Sequence, residues 1–139
     1  MIQRRTLLNI VLTAALCVGA PYVFALIVGY WSLLLVPFIQ ALGLTSQFGI
    51  VITMGFVNAL GALLAAAVMA IPLGWFVREW ALLYGCVVGV VASFVLLYWA
   101  PPLSSAFEVG MRVVEYLSFV VGCMFFSLVG AHLVRRRLV

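Results

Sequence analysis

An all-α integral membrane four-helix bundle is the fold this sequence predicts, and three observations predict it. Of 139 residues, 68% are hydrophobic and 7% charged, more apolar surface than a soluble domain of this length can hide. The apolar residues fall in four long runs, each near the ~20 residues that cross a ~30 Å hydrocarbon layer. The gaps between runs are too short for a soluble unit, so residues 1–139 read as a single membrane domain, with spans at about 7–30, 48–72, 80–100 and 105–134.

The first run follows Arg4 and Arg5. The sequence RRTLL, Arg4 to Leu8, resembles a twin-arginine export signal, but the apolar run continues past Tyr30, and Pro21 would follow the plausible cut after Ala20. An uncleaved anchor is therefore expected. Pro21 cannot donate to the Cys17 carbonyl, so a kink is expected there. Tyr30 and Trp31 mark the far interface. Residues 32–47 are apolar but too short to cross and return. They can extend the first helix to Pro37, lie flat or re-enter. An outer-surface segment is the expectation, because the flanking spans need their ends on one side.

The second run, Phe48 to Pro72, carries no charge and reads as the central helix. At 100° per residue, Val51, Met54, Gly55, Asn58, Gly61, Ala62, Ala65 and Met69 share one face, with Phe56, Leu60 and Leu63 opposite. Small faces let helices approach closely in lipid, and a buried amide seeks a partner across the contact. Leu73 to Glu79 is expected to turn. The third run lies between Trp80 and Trp99 and is stopped by Pro101 and Pro102. It contains Gly85-Cys-Val-Val-Gly89, a GxxxG pair extended by Ser93, which predicts a close contact with another span or with a second copy. Ser105 and Glu108 match a capping box and start the fourth helix. Glu108, Arg112 and Glu115 are spaced as helical neighbours in an outer collar. Ser118 and Gly122 share one face of that helix, and Cys123, Ser127, Gly130 and Ala131 another, so two different neighbours are expected.

Charge placement sets the topology. Arg4, Arg5, Arg78, Arg135, Arg136 and Arg137 lie on the side that holds both termini, which is therefore predicted to be cytoplasmic. These arginines can also touch lipid headgroups. Although the net charge is +4, no basic groove is implied and nucleic acid is not an expected partner. The partners expected are the lipid bilayer and either further copies of the chain or a larger membrane-protein complex.

The sequence offers little chemistry. Cys17, Cys86 and Cys123 sit inside apolar runs without a CxxC, suggesting small packing residues and no metal site. His132 lies beside the terminal arginines, where a carbonyl can satisfy it. Length and span count resemble those of the small multidrug transporters, but the first run lacks the glutamate that family carries there. No motif points to an enzyme or a cofactor. Asn58 lies about 15 Å into its span, where helix packing or a path is possible. Asn9, Thr13 and Cys17 form a weakly polar stripe toward Pro21.

The expected function is that of a small bacterial inner-membrane protein acting by assembly. In the alternative, a channel, a holin-like pore or a lipid-linked-substrate flippase, Asn9, Thr13, Pro21 and Asn58 would line the path. A further alternative is a membrane immunity or defence protein.

Overall fold

The computed structural model describes residues 2–43, 47–100, 102 and 105–137. Four helices follow one another: α1 (Ile2–Ala41), α2 (Gln47–Val77), α3 (Ala81–Trp99) and α4 (Ala106–Arg137). Each is long and apolar enough to cross a membrane, so the chain is an all-α, multi-pass membrane protein.

The helices alternate in direction. One end of the bundle therefore gathers the start of α1, the α2–α3 turn and the end of α4. The arginines Arg4, Arg5, Arg136 and Arg137 belong to this end, although their side chains lie outside the described residues. Arg78 and Arg135 are exposed there.

Two expected boundaries move. The first helix does not give way to a separate surface segment at residue 32 but continues through Pro37 to Ala41. It closes in a turn at Leu42 and at Gly43, whose φ is +62°. Residues 44–46 of the expected segment lie outside the described residues. Nothing between Gly29 and Pro37 breaks a helix, and an apolar stretch keeps its backbone groups paired most cheaply by continuing the helical ladder.

The second correction concerns the expected turn at Leu73–Glu79. Here α2 runs through Pro72 and Gly74 to Val77, and the turn proper is Arg78–Trp80, with Arg78 at φ +46°. Leu73, Gly74 and Val77 are all buried. Burial of this last turn against its neighbours outweighs the poor helix propensity of Pro72 and Gly74.

Ser105 does begin the fourth helix, its Oγ accepting from the Glu108 backbone N–H at 3.2 Å. This satisfies one of the free donors of a helix start.

The core is built from small residues with a few large ones. Ala20, Ala62, Ala65, Ala66, Ala70 and Ala92 are buried, as are Phe24, Leu73, Val88 and Phe119. Of the small face expected on α2, Gly61, Ala62, Ala65 and Met69 are buried, whereas Val51, Met54, Gly55 and Asn58 are half-buried. On the face expected to point away, Phe56 is exposed, but Leu60 and Leu63 are half-buried, and Leu63 packs near Gly122 of α4. From α1, the Phe24 ring reaches α4, edge-on to Phe119 at 4.8 Å between centroids and to Tyr116 at 6.2 Å.

Candidate functional site

The closest approach of the helices is a junction of α2, α3 and α4 centred on Ser127. From α2, Gly74 lies so near α4 that an added Cβ would run into the Ser127 carbonyl and come within 2.8 Å of the Ala131 nitrogen. From α4, Gly130 lies equally close to the Ile71 carbonyl. From α3, a Cβ at Gly85 would meet Ser127 Oγ at 2.5 Å and the Cys123 carbonyl at 2.6 Å. One turn along, a Cβ at Gly89 would lie 2.9 Å from Val120 Cα. Gly85 and Gly89 thus face α4 of the same chain.

Ser127 is fully buried. Its hydroxyl lies 2.8 Å from the carbonyls of both Ala81 and Met124, which share its single proton. The first bond ties α4 to the opening turn of α3, the second to its own helix. The sequence marks Ser127 as a small packing residue only. Its position between Cys123 and Gly130 on one stripe is the signal that placed it at a contact, but nothing local names Ala81 as its acceptor.

The polar residues of the candidate path are dispersed. Asn58 is half-buried in the α1–α2 seam, where its Oδ1 accepts a hydrogen bond from Ser32 Oγ at 3.2 Å. Beside it, a Cβ at Gly61 would lie 3.0 Å from Trp31 Cδ1, and the Trp31 indole nitrogen is buried without a hydrogen-bond partner. Thr13 is buried but donates to the Asn9 carbonyl of its own helix at 2.7 Å. Pro21 is buried in the core, and Cys17 packs against that core. Ser32 lies eleven residues beyond Pro21 on α1, about 16 Å of helix rise.

The remaining packing candidates divide between tight and loose contacts. Gly122 is buried, its Cβ position 2.8 Å from Ala66 Cβ. Ala62 and Ala65 are fully buried. Ser93 donates to the Gly89 carbonyl at 2.8 Å, and Ser118 is half-buried. Gly55 meets only the thioether of Met111. His132 is exposed. Among the described residues, no group of three or more His, Cys, Asp or Glu side chains is placed to hold a metal ion.

Comparison of the chain with protein-family models, curated proteins and solved structures returns no match. The fold therefore defines a class, the multi-pass helical membrane proteins, and the function is read from the geometry of this chain alone.

Proposed function

We propose that this protein works by assembly, as a homo-oligomer or as a subunit of a larger membrane complex, without catalytic chemistry of its own. The observation that carries this reading is the length of α1. Its apolar stretch, Thr6–Ala41, has 36 residues, about 54 Å of helix against a hydrocarbon layer of ~30 Å. Even tilted by ~40° it stands about 41 Å tall. By contrast, α3 has 19 residues, which at about 29 Å matches the layer. Such mismatch drives helices to associate. Beyond Trp31 and Ser32, the side chains of Leu33, Leu34 and Phe38 are exposed on α1, a face suited to another membrane helix. The arginine bias favours both termini in the cytoplasm, and an all-arginine basic set with abundant Ala, Gly, Val and Leu favours a bacterial inner membrane.

The Ser32–Asn58 bond favours helix glue over a conduit, because the amide oxygen is already matched across the seam. A photo-crosslinking residue at Leu34 or Phe38, activated in native membranes, tests the assembly reading. The expected result is one discrete product, either a second copy or a single partner protein. Lipid adducts alone, together with a monomeric particle in nanodiscs, would overturn it.

A further inference from the structure

At the end of the molecule away from the clustered arginines, α2 and α4 stand apart around an apolar recess of about 560 Å³. Among the described residues, only these two helices line it, and none of the lining side chains is charged. On each helix two small lining residues lie one turn apart, Gly55 and Ala59 on α2, Ala106 and Gly110 on α4. Four larger ones, Ile52, Phe56, Phe107 and Val114, are exposed. Small residues so placed let a helix from outside bring its side chains close to both backbones.

Another part of the same chain has the opposite shape. On α1, Tyr30, Leu34 and Phe38 recur every fourth residue, the spacing of a side-chain ridge, and Leu33 lies beside them. All four are between 66% and 71% exposed. The Ser32–Asn58 bond sets the level of this ridge. Past Ser32, α1 runs nine residues further to Ala41, about 14 Å of rise. The antiparallel α2 places its residues before Asn58 in the same layer, and those are the residues of the recess. The ridge of one copy and the recess of another therefore stand at one depth whenever both copies are inserted the same way.

The ridge also needs cover. The apolar stretch of α1 overshoots a ~30 Å hydrocarbon layer even when tilted, so its end meets headgroups and water, where burying apolar surface is favourable. Reciprocal seating of two copies covers eight large side chains on each, four of the ridge and four of the recess. At roughly 90 Å² apiece this is about 700 Å² per copy, close to the ~800 Å² per partner of a stable interface. A one-way contact covers only half of that.

We propose that the recess seats α1 of a second copy, with Tyr30, Leu34 and Phe38 between α2 and α4, and that two copies exchange this contact about a two-fold axis along the membrane normal. The dimer rests on the assembly reading and gives it a partner, the chain itself.

Sedimentation equilibrium of the full chain in density-matched micelles reads the dimer, and a photo-crosslinking residue at Phe38, followed by peptide mapping of the crosslinked dimer, reads its geometry. The wild type dimerises, and the Phe38 adducts map to residues 51–59 and 106–114 of the second copy. Leu34→Ala shaves the ridge and Ala59→Phe fills the recess. Each raises the dissociation constant of the dimer about tenfold. Val18→Ala, on an exposed part of α1 short of the ridge, leaves it unchanged. Because the contact lies between chains, unfolding of single chains in dilute micelles does not register it. Should Ala59→Phe fail to fold, Leu34→Ala, at an exposed side chain, carries the test. A dimer whose Phe38 adducts map elsewhere, adducts to one different protein in native membranes, or undiminished dimerisation of folded Leu34→Ala would overturn the recess contact and leave assembly standing. A monomer with lipid adducts alone would overturn both.

Discussion

The two ends of the bundle are packed by different means. At the end holding the α2–α3 turn, backbone meets backbone: Gly74 on the Ser127 carbonyl, Gly130 on the Ile71 carbonyl and Gly85 on that of Cys123. At the other end, Gly55 is filled by the flexible thioether of Met111, and Gly110 has open space around its Cβ position. There α2 and α4 diverge around an apolar recess of about 560 Å³ that Gly55, Gly110 and Met111 help to line. The same residue type thus serves as a closely fitted contact at one end and as spare room at the other. A small residue permits a close approach; the facing helix decides whether it happens.

The contrast can be broken most sharply at the tight end. Gly130→Leu places a side chain where the Ile71 carbonyl stands, and neither backbone can retreat without parting α2 from α4. A loss of about 3 kcal/mol, the upper part of the usual overpacking range, is expected in reversible unfolding in mixed micelles. A wild-type midpoint would show that the helices do not meet at this crossing.

The α1–α2 seam is next. Asn58→Asp puts a carboxylate beside Ser32 and an apolar surround, costing roughly 2.5–3.5 kcal/mol on insertion scales. Asn58→Ala, which only removes the Ser32 bond, costs about 1 kcal/mol. A well-folded Asn58→Asp protein that leaks cations from liposomes would instead place Asn58 on a hydrated path.

Ser127→Ala keeps the small volume of the junction and deletes the link to Ala81. The Ala81 carbonyl remains within α3, so the expected loss is about 1 kcal/mol. Faster amide exchange in the first turn of α3 would localise that loss, whereas a loss above ~2 kcal/mol would mean that the hydroxyl does more than join two helices.

The smallest effect is expected at the loose end, and its sign is opposite. Gly110→Ala adds a methyl group in open space and removes a flexible residue from a helix, gaining about 0.4–1 kcal/mol. If it destabilises, the recess is filled in the membrane by something the methyl group displaces.

Several features of the fold and site are legible residue by residue. The second half of the small face of α2, Gly61, Ala62, Ala65 and Met69, is buried, while its first half is only half-buried; Ser105 caps α4 as the capping pattern predicts. As expected, α4 meets two neighbours, but its stripes do not sort cleanly between them. Gly122 lies against α2 at Ala66 and Cys123 against α3 at Gly85, while Ser127 touches both Gly85 of α3 and Gly74 of α2, and Gly130 lies against α2 at Ile71. Gly74 is the instructive miss. Two residues after Pro72 and four before Arg78 it carries the local marks of a turn, yet it is a buried helical contact. Pro37 misleads in the same direction, since α1 passes through it.

By itself, then, the sequence determined the solvent and the repertoire. Its apolar content commits the chain to lipid, and lipid leaves the backbone little choice but long helices that satisfy their own hydrogen bonds. Both consequences are local, because composition and hydrogen-bonding demand are written along the chain. Only the tertiary structure decided where α1 and α2 end, which glycines touch a backbone, and that Ser127 reaches Ala81. The physical reason lies in the surrounding solvent. Lipid is as apolar as leucine, so hydrophobicity cannot tell an inward face from an outward one. That choice falls to the fit of one helix against the next, which involves two distant stretches at once and is visible in neither alone.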